Sequence, residues 1–153
     1  MSEIQRIVDQ MDRAFSGDAW HGPSLIALLE GISAEEASKH PISQAHSIWE
    51  IVHHLRAWQT IVQHRLKNDT VEVTSETDWP PLWETSEIAW KRALEDLAES
   101  RNRLRQTVEE LREDQLGEKP ADSRDPCYVM LHGVVQHDLY HAGQISILKK
   151  ALR

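Results

Sequence analysis

The sequence predicts an all-α fold, a four-helix bundle with long inter-helix connections, on three observations. Four long segments repeat apolar residues at three- to four-residue spacing, the period of an amphipathic helix. No segment alternates apolar and polar residues for long enough to make a strand. Between the long segments lie less regular stretches, two of which carry two prolines each, and these read as connections. With 153 residues, the chain is expected to form one domain over residues 1–153, able to bury most of its apolar surface without staples.

The first helix is expected from Ser2 to Phe15, where Ile4, Ile7, Val8, Met11, Ala14 and Phe15 share a face; Gly17 ends it. Asp18 to Gln44 is less regular. Pro23 opens a short apolar helix over Ser24 to Glu30, Gly31 closes it, and Ser33 with Glu36 forms a capping box for another turn or two before Pro41. Trp20 is expected to pack this connection onto the bundle, and the role of His21 is left open. The second long helix should run from Ser43 to Lys67, with Ile48, Ile51, Val52, Leu55, Trp58, Val62 and Leu66 as its buried stripe. On it, His46 and His64 read as surface residues.

Asn68 to Trp83 reads as a long connection held to the bundle by Trp79 and Trp83. The third helix is expected from Glu84 to Arg112, with Trp90, Leu94, Leu97, Leu104, Val108 and Leu111 in its seam and Arg101 in the missing place. A charge in such a seam either extends its head group to solvent at a bundle end or pairs with a buried acid. Gly117 to Asp125 reads as a polar linker. Asp125 is then expected to cap the last helix, with Pro126 in its first turn and no break before Arg153. Met130, Leu131, Val134, Ile145, Leu148 and Leu152 share one face of it, at about 100° per residue.

His137 and His141 fall inside that apolar stripe. Four residues apart on one helix, they point the same way, the spacing that holds one metal ion from a single helix. The plainer reading is a pair of hydrogen-bonded core residues. Two imidazoles side by side among Val, Leu and Ile nevertheless leave several donor and acceptor sites to satisfy, and one shared cation takes a nitrogen from each. His132, nine residues before His141, lies roughly on the opposite side of the helix. On the second helix, His53 sits roughly 160° from Leu55 and faces solvent, whereas His54 sits roughly 100° away and can turn inward. Bundles build metal sites from inward side chains of facing helices, which makes His54 the third ligand candidate.

Composition excludes several classes of function. A formal charge of −8 offers no basic face for nucleic acid, and there is no glycine-rich phosphate loop. No run of about 18 apolar residues suggests a membrane span, and MSEIQRIVDQMDRAF does not read as a signal peptide. Cys127 is the only cysteine, so no intramolecular disulfide forms, which fits a cytoplasmic location.

The run HGVVQHDLYHAGQI, the His54-Leu55 pair within SIWEIVHHLRAW, and the Trp20-His21-Gly22 turn together resemble the DinB and YfiT-like superfamily of metalloenzymes, over almost the whole chain. The resemblance implies a four-helix bundle of unusual connectivity, often a homodimer, in which three histidines bind a divalent metal. Carried over to this chain, the metal ligands are His54, His137 and His141. His53 leaves a one-residue ambiguity that helix geometry resolves in favour of His54. Some relatives resemble thiol-dependent transferases or isomerases that use bacillithiol, mycothiol or glutathione, and others have no assigned reaction. The damage-inducible name implies no DNA chemistry.

Three neutral imidazoles leave the charge of a divalent ion uncompensated and one tetrahedral position open, the catalytic arrangement. Such an ion lowers the pKa of bound water to about 7, or holds a thiolate at neutral pH. Zinc or nickel is the expected metal. Cys127 lies about 15 Å of helix rise from His137, too far to join. Asp138 has three readings, a fourth ligand, a partner for an imidazole N–H, or a structural acid, of which the second is preferred. Gln144, close to one turn beyond His141, can orient a ligand or a bound water, and Glu50, one turn before His54, is the general-base candidate. The expected function is a metal-dependent enzyme, a thiol S-transferase or a hydrolase, acting on a small molecule such as a low-molecular-weight thiol. The alternative is a metal-stabilised binding or structural bundle without turnover.

Overall fold

The computed structural model describes residues 1–153 and contains seven α-helices, one 3-10 turn and no strand. Four helices are long: α1 (Glu3–Phe15), α4 (Ile48–Leu66), α6 (Glu87–Glu109) and α7 (Cys127–Ala151). Two short helices, α2 (Leu25–Leu29) and α3 (Ala34–Ser38), occupy the first connection, and α5 (Ser75–Asp78) occupies the second. The 3-10 turn, Glu113–Gly117, begins the third.

Both α1 and α4 pack against α6 and α7, so α1 stands diagonal to α4, and α6 diagonal to α7. The first and third connections therefore cross the bundle, and only the second joins neighbours. α4 and α7 lie side by side, which allows their histidines to meet.

The helix starts follow local chemistry. Ser2, Ser33 and Ser47 each cap a helix in a full capping box, with Gln5, Glu36 and Glu50 returning the hydrogen bond. Ser47 moves the start of the second long helix from the expected Ser43 to Ile48, and Ser86 likewise starts the third at Glu87. Gly31 takes a φ of 73°, the left-handed conformation that closes α2. The last helix starts one residue later than expected. Pro126, not Asp125, is its N-cap, with an extended ψ of 160°, and the Cys127 N–H turns back to the Glu118 carbonyl at 2.9 Å.

The core has two apolar clusters. One gathers Leu25, Trp49, Leu55, Trp90, Leu97 and Ile145; the other gathers Ile7, Met11, Leu104, Val108, Leu131 and Cys127. Cys127 thus belongs to the cluster away from the histidine end, as the helix spacing requires.

Two tryptophans differ from expectation. Trp20 is fully exposed: the apolar cluster built by Phe15, Leu25 and Leu29 forms without it, and it lies in the turn closed by the Gly22 N–H on the Ala19 carbonyl. His21 beside it is also exposed. Trp83 is 90% exposed: Leu82 packs on the core, and the next residue along an extended segment points the other way. Trp79 does hold the second connection to the bundle.

Candidate metal centre

On α4, His54 shares a buried face with Ile51, Val52 and Leu55 and is 5% exposed; His141 on α7 is 4% exposed, and His137 is half-buried. Their ring nitrogens converge. His54 Nε2 lies 2.9 Å from His137 Nε2, and His141 Nε2 lies 3.1 Å from the same atom. One ligand atom from each of the three lies within 4.8 Å of the others.

The far nitrogens set the tautomers. His54 Nδ1 lies 2.7 Å from the Asp78 backbone carbonyl, which only accepts, so Nδ1 carries the proton and Nε2 is a bare lone pair. His141 Nδ1 donates to Gln144 Oε1 at 2.6 Å, which bares its Nε2 in the same way. His137 Nε2 can hold only one proton and faces both neighbours. Whichever contact that proton serves, the other sets nitrogen against nitrogen unsatisfied. A cation accepting all three lone pairs removes the conflict, so the donor set fits a borderline divalent metal.

Burial depresses the basicity of all three rings. It drives His137 down to about 3, with repulsion from His141 and His54 adding to it. It drives His141 to about 4 and lowers His54 as well, so the cluster is neutral at pH 7, the form that ligates.

The second connection folds over His54. Asp78 supplies the carbonyl named above, and its carboxylate lies 3.3 Å from His54 Nδ1 while accepting the Trp58 indole N–H at 2.7 Å. Trp79 stacks on His54 with ring centres 3.9 Å apart, and His46 stacks on the other face of Trp79 at 3.5 Å. His54 is thus gripped on an edge and a face by residues more than twenty positions away. The sequence pattern contains no sign of Asp78, and it suggested for Trp79 only a packing role. His46, expected as a plain surface residue, is exposed but buttresses the stack.

His53 points away from the cluster, as helix geometry requires. It is half-buried rather than free in solvent, accepting the Trp49 indole N–H at 3.1 Å. Gln144, expected to orient a ligand or a bound water, contacts His141 Nδ1 through its Oε1. Glu50 accepts the Ser47 N–H at 2.7 Å in the α4 capping box and contacts His40 Nε2 at 2.9 Å, so its carboxylate is engaged at the helix start.

Asp138, one residue from His137, turns to the bundle axis. It is 1% exposed and forms an ion pair with Arg101 across the diagonal at 3.1 Å. Arg101 also donates to the Met11 carbonyl and sits 5.1 Å from the centre of the Phe15 ring. Burial pushes the Asp138 carboxyl up to about 6 against the pull of Arg101. Asp138 hydrogen-bonds none of the three imidazoles, so among its three readings the structure places it as a structural acid, and Arg101 as the partner of a buried acid.

A cavity of about 730 Å3 opens on the cluster, with His54 and His137 in its wall. It runs between α4 and α7, and residues 122–125 also line it. A cleft of about 750 Å3 between α1 and α7, with Trp20 and His21 at its edge, contains none of the three histidines.

No curated protein sequence matches this chain. Among solved structures, it is similar to a conserved protein from Enterococcus faecalis, with a TM-score of 0.72 at 14% identity over 99% of this chain and 98% of that one, a likeness of fold. No helix is long and apolar enough to cross a membrane. The family model of the DinB superfamily matches residues 19–145, a span that includes all three clustered histidines, and the chain belongs to that superfamily.

Proposed function

We propose that this protein is a divalent-metal-dependent enzyme, with His54, His137 and His141 holding zinc or nickel and a small molecule bound in the adjoining cavity. One observation carries the reading: three imidazole nitrogens face one another in a proton arrangement that no tautomer satisfies. A bound divalent ion would supply Lewis acidity and lower the pKa of a water or thiol that it binds.

The rest is the work of the chain itself. Asp78 and Trp79 fix the His54 ring, Gln144 fixes His141, and the cavity delivers a ligand to the open side of the cluster. The donor set supports thiol transfer or hydrolysis, and no side chain beside the histidines stands out as a general base. A metal tie between α4 and α7 without turnover is the competing reading, and the cavity opening on the donors favours turnover over it.

The test is elemental analysis of untagged protein beside the His53→Ala, His54→Ala and His141→Ala variants. About one ion per chain, lost with His54→Ala and His141→Ala but kept with His53→Ala, is the expected result. Thiol-transfer and hydrolysis assays on the loaded protein then separate an enzyme from a structural tie. No ion in the parent protein after reconstitution with zinc or nickel overturns the reading.

A further inference from the structure

The cavity beside the histidines has a charged end that the metal does not use. Along α4, His54, Trp58, Val62 and Arg65 fall within one arc of roughly 80°, so all four line the same trough. Arg65 stands three turns from His54, about 16 Å of helix rise. The donor cluster therefore sits towards one end and the Arg65 backbone towards the other, while the guanidinium folds back over Trp58, whose ring centre lies 6.4 Å from that of His54.

Arg65 is half-buried, and its Nε is sealed from solvent with no hydrogen-bond partner. Its guanidinium carbon lies 5.7 Å from the centre of the Trp58 ring, which favours the cation but offers no oxygen acceptor. No carboxylate of the chain pairs with it, although acidic residues outnumber basic ones by 25 to 17. Three acids share the cavity wall, and each is engaged elsewhere. Asp78 takes the Trp58 N–H at 2.7 Å, Asp122 takes the Val71 N–H at 3.2 Å, and Asp125 pairs with Arg124 at 3.6 Å.

A partly desolvated cation without a partner is unfavourable, and an incoming anion that meets its planar fork relieves it. The charge of that anion follows from the wall. The wall holds two guanidiniums, and Arg124 is committed to Asp125, so Arg65 is left to offset a single negative charge, whereas a dianion would leave a surplus facing Asp122. We infer that Arg65 is the ligand-anchoring residue of this cavity, and that the ligand is an elongated small molecule with a monoanionic carboxylate at the Arg65 end. Its reactive end reaches the histidines, and in this respect the inference rests on the metal reading above.

The experiment uses cobalt(II)-loaded protein, whose visible absorption reports on the metal's open position. Mercaptohexanoate and mercaptohexanol, which share a thiol and chain length and differ in charge at the far end, are titrated into the parent protein, Arg65→Met and Arg65→Gln. The carboxylate is expected to bind about ten- to hundredfold more tightly than the alcohol in the parent, the contribution of one charge-assisted hydrogen bond. That preference should vanish in both variants while alcohol binding is unchanged, which a loss of folding would not produce. Equal binding of the two probes to the parent, or a preference that survives in both variants, overturns the assignment. Cobalt loading is measured before any thiol is added, so failure of the metal site is read separately. In that case, calorimetry with hexanoate alone decides the role of Arg65, through binding that is present in the parent and absent in the variants, or not.

Discussion

His137 and Asp138 are neighbours on α7, and each enters a buried polar cluster, yet the two clusters are completed differently. Asp138 meets Arg101, so its charge is compensated within the chain. His137 meets two more imidazoles that present lone pairs, so its cluster lacks the one thing the chain cannot supply, a positive charge at the centre. Consecutive residues on a helix point about 100° apart, which is how α7 serves both the cavity and the bundle axis. A buried polar group that is matched internally serves the fold, whereas a set left unmatched in a consistent direction marks a candidate binding site.

The largest effect tests the matched cluster. Arg101→Met leaves Asp138 buried alone and should lower stability in urea by about 3–5 kcal/mol, while the folded fraction keeps its metal. Adding Asp138→Leu to it should restore most of the loss; a double variant as unstable as the single one would mean that the pair is not closed on itself.

The unmatched cluster behaves in the opposite way, because its stability depends on what is added. Saturation with zinc or nickel at a hundredfold excess over Kd should stabilise the parent by about 2.7 kcal/mol in thermal unfolding. His54→Ala and His141→Ala should show no such rise, and His53→Ala should show it in full.

Residues that only orient the ligands should give a smaller change. Gln144→Leu and Trp79→Ala each free one imidazole and are expected to weaken metal affinity about tenfold, read by competition with a chelating dye. Unchanged affinity in both would mean that the rings are positioned by helix packing alone. The smallest effect belongs to the helix start: Ser47→Ala removes the α4 cap and should cost about 1 kcal/mol of stability without altering metal affinity.

Much of this was legible in the sequence because it depends on short-range periodicity. The stripes of α1, α4, α6 and α7 and the i, i+4 pair on α7 are consequences of 3.6 residues per turn. The same rule chose His54 over His53, since one step of rotation separates an inward ring from an outward one. Boundaries were less legible where two capping residues competed, as with Ser43 and Ser47, or where Pro126 displaced Asp125 from the cap. Trp20 and Trp83 show another limit: an aromatic residue in a connection packs only if the bundle leaves it a space, and these connections fill the space with Leu25, Leu29 and Leu82 instead.

By itself, then, the sequence determined four amphipathic helices and the three ring-bearing positions that can share one ion. Those properties reside in local spacing and composition. Only the tertiary structure decided the order of the helices around the axis, the closing of Asp78 and Trp79 over His54, the pairing of Arg101 with Asp138, and the isolation of Arg65. Each of these depends on which side chains from distant segments arrive at the same place, and so on how the connections cross the bundle, which no local pattern encodes.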